Sequence, residues 1–126
     1  MLSIMNTTEM ATRLVALCRQ GDFASAQREL YSSDPVSLEP AGGAGPREVR
    51  GLAALAEKEK MFGRTFEVHG CNVSDPLVAD AFFSCTMTVD VTERKSGARF
   101  PLNELCVYEV RDGKIVKEQF FFTPQG

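Results

Sequence analysis

NELCVYEVRDGKIVKEQFFF, residues 103–122, places a turn signal between two alternating runs. Asp112-Gly113 is a dipeptide that tolerates positive φ at both centres of a two-residue hairpin loop. The stretch therefore predicts an antiparallel hairpin with Arg111 facing Lys114. Carried outward unchanged, this register puts Asn103, Leu105, Val107, Val116, Glu118, Phe120 and Phe122 on one face. The other face takes Glu104, Cys106, Tyr108, Val110, Ile115, Lys117, Gln119 and Phe121. Both faces are substantially apolar, so both are expected to be covered, one by helices and the other by a second subunit. A homodimer through the sheet is the expectation.

Upstream of the hairpin the two-residue alternation reaches back to Phe66, broken by turn signals at Ser74-Asp75-Pro76 and Lys95-Ser96-Gly97. Four strands are predicted, near 66–73, 78–92, 99–110 and 114–122, and their short connections imply an antiparallel meander. Before Phe66 the period is helical. Asn6 and Glu9 have the spacing of a capping box, and Met10, Leu14 and Leu17 recur at helical intervals up to Gly21. Asp22 is positioned to cap a second helix carrying Phe23, Gln27 and Leu30, which ends near the Ser32-Ser33-Asp34-Pro35 turn signal. A short strand, Val36 to Glu39, leads into a glycine-rich loop from Pro40 to Pro46. A third helix, from about Arg47 to Phe62 and closed by Gly63, places Leu52, Leu55, Glu59 and Phe62 at a 3.6-residue period. Helices followed by a meander make an α+β domain, and its 126 residues suit one core, so residues 1–126 are expected to be a single domain.

A charged fraction of 25% and a hydrophobic fraction of 44% are ordinary for a folded chain and argue against disorder. The net charge of -3, without a basic cluster, argues against nucleic acid as a partner. No apolar run approaches the roughly 20 residues of a membrane helix, and residues 1–5 are too short for a signal-peptide core, so a cytoplasmic protein without membrane contact is expected. Cys18, Cys71, Cys85 and Cys106 lack a Cys-x-x-Cys spacing and fall in apolar-patterned segments, as buried reduced thiols do. His69 is the only histidine, which excludes His-x-x-x-His metal motifs. His69-x-Cys71 is not a recognised ligand spacing, so no metal is expected.

Gly21-Asp22-Phe23 between the first helices, Leu30-Tyr31-Ser32-Ser33-Asp34 before the first strand, Gly51 at the third helix and the closing Asp112-Gly113-Lys114-Ile115-Val116 form an ordered set. In that order and spacing the chain resembles the nuclear transport factor 2-like superfamily in its SnoaL-like branch. The resemblance implies a conical α+β fold in which a curved antiparallel sheet wraps three N-terminal helices around a cavity, often in a dimer. Such folds host isomerases, cyclases, dehydratases and hydrolases as well as non-catalytic binders. Glu39, before Pro40 at the end of the first strand, matches the general-base position of ketosteroid isomerase. That enzyme's oxyanion-hole tyrosine corresponds to Leu14, and its second donor, an aspartic acid, falls on Leu105 or, with a gap, on Cys106. Leu14 and Leu105 donate no hydrogen bond and a thiol is a weak donor. Losing one oxyanion donor costs roughly 100- to 1000-fold in rate, so steroid isomerisation of the standard kind is not expected.

Three residues are candidates for acid/base work. Glu39 is either a base at a cavity mouth or a solvated carboxylate at a strand end. Glu118, flanked by Val116, Phe120 and Phe122 with Val107 expected opposite, must be paired, protonated or near water; it is either a pocket acid or base, or a structural partner of Lys58 or Arg64. His69 alternates with Cys71 and Val73, which points it inward, either as a proton shuttle or as a core histidine bound to a backbone carbonyl. Asn103 is placed to orient a ligand, while Met61, Phe62, Phe83, Met87 and Phe120 are expected in the core or cavity wall. Lys58, Lys60, Lys114 and Lys117 are expected as solvated charges or salt-bridge partners. The sequence thus points to a small hydrophobic, oxygen-bearing ligand in an internal cavity, with acid/base catalysis that needs no cofactor, or else to a non-catalytic binding or assembly module of the same fold.

Overall fold

Asn6 opens the first helix through the reciprocal bonds that its spacing to Glu9 predicts. Its Oδ1 accepts from the Glu9 backbone N–H at 2.8 Å, and Glu9 Oε1 accepts from the Asn6 backbone N–H at 3.0 Å. The resulting α1 (Thr7–Arg19) buries Met10, Ala11, Leu14, Val15, Leu17 and Cys18 on one face. Asp22 accepts from the Ser25 backbone N–H and caps α2 (Phe23–Leu30). The computed structural model describes residues 4–42 and 45–123. Its third helix, α3 (Leu52–Thr65), packs with the first two inside a curved sheet.

That sheet is mixed and unclosed, with seven strands: β1 (Tyr31–Leu38), β2 (Glu48–Arg50), β3 (Phe66–Val73), β4 (Leu77–Ala79), β5 (Phe82–Glu93), β6 (Arg99–Arg111) and β7 (Lys114–Phe121). Their order is β2-β1-β7-β6-β5-β3, with β4 paired to β5. The α+β class and the three leading helices are as expected, and β3, β5, β6 and β7 form the antiparallel series. Among the described residues no helix is long and apolar enough to cross a membrane.

The sheet departs from the sequence expectation in several places, each with a physical reason. It is not wholly antiparallel, because β1 runs parallel to β7, a pairing between distant segments that local periodicity does not encode. β1 begins at Tyr31, not Val36. The Ser32-Ser33-Asp34-Pro35 stretch, which signals a turn, is absorbed as an irregularity in the β1–β7 register between Tyr31 and Val36, where proline is tolerated. Residues 48–50, expected as helix, form an edge strand on β1, and α3 starts after Gly51, whose φ of 89° suits the sharp change of direction. Gly63 does not end α3; the helix runs on to Thr65, and Phe62 packs against Phe66 with ring centroids 5.0 Å apart. The predicted strand 78–92 is two strands, because Asp80 takes a φ of 55° and turns the chain between Ala79 and Phe82.

Two β-bulges have consequences for function. In the β6–β7 ladder, Arg111 faces Lys114 and Val110 faces Ile115 as predicted, but Glu109 then faces Lys117. Val116 is the extra residue, so every side chain beyond it changes face. In the β3–β5 ladder the register shifts between Val68 and Gly70, leaving His69 as the unpaired residue.

The hairpin turn itself matches the sequence. Asp112 and Gly113 have φ of 53° and 71°. A Cβ at Gly113 would also lie 2.0 Å from the Ile4 side chain. Gly113→Ala should therefore destabilise the fold by about 1–2 kcal/mol, the cost of a left-handed non-glycine residue. A urea titration checks this: the midpoint drops while the slope is unchanged.

Candidate functional site

The bulge at Val116 turns Glu118 inward, where it faces Tyr108 instead of Val107 and is 6% exposed. A carboxylate so placed needs partners. The Tyr31 hydroxyl, from the start of β1, donates to its Oε1. The Ser37 hydroxyl, from the same strand and fully buried, donates to its Oε2 at 2.6 Å. Lys58, from α3, donates to Ser37 Oγ at 2.8 Å and forms an ion pair with Glu39 at 2.5 Å. The Lys58 ammonium lies 4.9 Å from the centroid of the Phe120 ring. One connected chain, Tyr31–Glu118–Ser37–Lys58–Glu39, thus links β7, β1 and α3. Glu39 sits just past the end of β1, held there by its backbone N–H, which donates to the Arg47 carbonyl across the loop at 2.8 Å.

Two further carboxylates lie near this chain, Glu104 facing the interior and Glu59 exposed. Glu104 lies on the inward row of β6 with Cys106 and Tyr108, opposite the buried Met87. Glu59 follows Lys58 on α3. Burial, then the charges of Glu39, Glu118 and Glu59, push the Glu104 carboxyl up to about 7 against the opposing pull of Lys58. Burial and Glu118 do the same for Glu59, also up to about 7. Glu59 is exposed to water by surface area yet crowded by protein, as a group at a concave mouth is. Burial also raises the Glu118 carboxyl, opposed by the hydrogen bonds from Ser37 and Tyr31. The site therefore holds three shielded carboxylates, Glu39, Glu104 and Glu118, near one ammonium with the exposed Glu59 beside it, and Glu104 and Glu59 exchange protons near neutral pH.

Of the residues singled out from sequence, Glu39 and Glu118 meet through Lys58 and Ser37. His69 does not join them. The bulge that leaves it unpaired turns its ring away from Cys71 and Val73; it is exposed, with Nε2 2.7 Å from the outward Thr92 Oγ1. Asn103 is likewise exposed, bonded to Thr88 Oγ1, and does not share a face with Glu118. With Met87, Glu104, Leu105 and Phe121 it lines an open groove of about 520 Å³ where β7 ends beside β6. Phe83 is stacked on Tyr108 in the core, centroids 4.7 Å apart, and Met61 is half exposed on α3. Of the two expectations for Lys58, the salt-bridge partner holds: it pairs with Glu39 and reaches Glu118 through Ser37. Tyr31 stood out only within the resemblance and Glu59 only as a carboxylate on the apolar stripe of α3, while Ser37 and Glu104 carried no signal of their own; an inward direction for Glu104 and Glu118 together could have been read only from a register with the bulge in it. Among the described residues no group of three or more His, Cys, Asp or Glu could hold a metal ion.

A family model described as the SnoaL-like domain matches residues 5–122. The chain belongs to the SnoaL-like family. It is similar to a Mesorhizobium loti protein named as a SnoaL-like polyketide cyclase, with carbohydrate phosphatase as a second designation. The two are 33% identical over 94% of this chain and 100% of that one, with a TM-score of 0.87. A Xanthomonas campestris protein with a cystatin-like fold shares 20% identity over 93% and 90% of the two chains at a TM-score of 0.75. A Catenulispora acidiphila protein with a ketosteroid isomerase-like fold, solved with trimethylamine, shares 14% over 91% and 85% at a TM-score of 0.73. These two likenesses concern the fold alone. No curated protein matches the chain.

The inward carboxyls of this SnoaL-like chain fix a pH dependence. An unfolded glutamate loses its proton near its ordinary value of 4.5, whereas folded Glu104 holds its proton to about 7. Between these values the folded state binds more protons, so stability falls as pH rises through the window. Glu118 adds to the same slope, while water screens the contribution of Glu59. Glu29 and Asp90, paired with Arg13 and Arg99, are shifted the other way and titrate below the window. Urea midpoints should be higher at pH 5 than at pH 8, and Glu104→Gln should flatten the difference; a midpoint that rises with pH contradicts the assignment.

Proposed function

We propose that the protein binds a small, largely apolar, oxygen-bearing molecule in the interior of the cone and moves a proton on it, with Glu39 as the base. The observation that carries this reading is the Tyr31–Glu118–Ser37–Lys58–Glu39 chain, which holds a carboxylate and an ammonium side by side against Phe120. Abstraction of a proton beside a carbonyl needs a base and a group that receives the developing negative charge. Leu14 is buried, Leu105 points outward and Cys106 points inward, so the donors of ketosteroid isomerase have no equivalent at the first two positions and only a weak one at the third. Lys58 supplies what those positions lack. Two of its three N–H groups go to Ser37 and Glu39, and the third has no partner among the described residues. Glu104, titrating near neutrality, is suited to return a proton. Isomerisation, cyclisation, dehydration and hydrolysis all use this pairing of base and acid.

A second reading, a non-catalytic binding or assembly module, is favoured by one observation: both oxygens of Glu118 are satisfied internally, and Lys58 neutralises Glu39, as a purely structural network would be. A thermal-shift screen against hydrophobic ketones, epoxides, lactones and polyketide-like compounds separates the two. A ligand at about 100 times its Kd adds about 2.7 kcal/mol to the folded state. For any compound that is also turned over, Glu39→Gln should keep the shift and lower the rate by about 10²- to 10⁴-fold. Binding without turnover, or no binding, supports the module.

The same proposal includes a homodimer through the outer sheet face, where Leu105 and Phe121 are 43% and 44% exposed. Light scattering of the purified protein should give twice the chain mass, and Leu105→Glu should return it to the monomer value.

A further inference from the structure

All four cysteines converge although each comes from a different element: Cys18 from α1, Cys71 from β3, Cys85 from β5 and Cys106 from β6. All are free thiols, and none belongs to the polar chain of the site. Cys85 and Cys106 stand directly opposite each other in the β5–β6 ladder, both on the inward face, with exposures of 3% and 0%. Opposed Cβ atoms of antiparallel strands lie about 4.5–5.5 Å apart, and a disulfide joins Cβ atoms about 3.5–4.5 Å apart. A small closure of the ladder is therefore enough to bond the two sulfurs.

The two thiols are also unequal. Interaction with the facing Cys106 thiol lowers the Cys85 thiol below its ordinary range, helped by the Arg19 charge and opposed by burial. The same interaction, together with burial, raises Cys106. Arg19 is fixed nearby, its guanidinium donating to the Val73 carbonyl and to Asp75. The pair thus has one thiol inclined to ionise and a protonated thiol facing it across the ladder, the arrangement in which a thiolate attacks and a second thiol resolves.

We propose that Cys85 and Cys106 are a redox-convertible pair that a hydroperoxide closes to an intramolecular disulfide. The Cys85 sulfur attacks one peroxide oxygen, the O–O bond breaks, and the departing oxygen leaves as water with the thiol proton, giving a sulfenic acid. The Cys106 sulfur then attacks that sulfur, the S–O bond breaks, and the hydroxyl leaves as a second water with the Cys106 proton. Two thiols and one hydrogen peroxide become one disulfide and two waters, and the sulfur pair gives up two electrons to the peroxide. Cys106 lies between Glu104 and Tyr108 on β6, so closure of the pair acts on a strand that carries a carboxylate of the candidate site.

The native, reduced protein is exposed to hydrogen peroxide, denatured in an alkylating reagent and analysed by intact mass and peptide mapping. The expected product has lost two hydrogens, takes up two fewer alkyl groups than the untreated protein, yields a linked peptide containing Cys85 and Cys106, and reverts with dithiothreitol. Cys106→Ala should instead leave a sulfenic acid at Cys85 that dimedone traps, and Cys71→Ser should leave the disulfide unchanged. Retention of alkylatable Cys85 and Cys106 under peroxide that oxidises the half-buried Cys71, or a linkage that involves Cys18 or Cys71, overturns the proposal. The wild-type result decides the matter even where a variant does not fold.

Discussion

Side chains on a strand alternate with a period of two, so the extra residue at Val116 decides the character of the whole interior. Without it, Glu118 would share a face with Val107 and Leu105, away from the helices. With it, Glu118 enters the cone beside Tyr108 and meets two hydroxyls of β1. Taking a carboxylate out of water costs on the order of several kcal/mol, and such a group persists only where hydrogen bonds or charge replace its hydration. Tyr31 and Ser37 provide that replacement from β1, which reaches β7 only because the two strands pair in parallel. Bulge, parallel pairing and buried carboxylate therefore depend on one another.

The remaining polar groups of the interior follow from this arrangement. Ser37 donates to Glu118 and so has an acceptor site left over, which Lys58 fills. Lys58 is then held where its second bond goes to Glu39, the residue just past the end of β1. Glu104 faces the same interior and Glu59 stands exposed beside Lys58; both are penalised for being charged, by burial and by the carboxylates already present. One ammonium among these carboxylates leaves protons bound near neutral pH, which makes stability fall as pH rises.

Membership of the SnoaL-like family fixes the architecture without fixing the chemistry, since this fold carries unrelated activities. What the structure adds is an ion-paired lysine on α3 beside Glu39. The thiols of the core form a separate group, buried against α1 and unconnected to the polar chain.

The local signals in the sequence were sufficient for much of the fold. The Asn6–Glu9 box, the Asp22 cap and the Asp112-Gly113 turn each depend on interactions within a few residues, and each appears where its spacing places it. The α+β class and the position of Glu39 at the end of β1 were legible for the same reason. Tertiary structure alone decided the direction of Glu118 and His69, because a β-bulge adds one residue without a composition signal and reverses every assignment beyond it. It also chose between the two readings of Lys58, solvated charge or salt-bridge partner, because a strand distant in sequence brings Ser37 and Glu39 to it. Periodicity determines which residues alternate, whereas register and long-range pairing determine which of them meet.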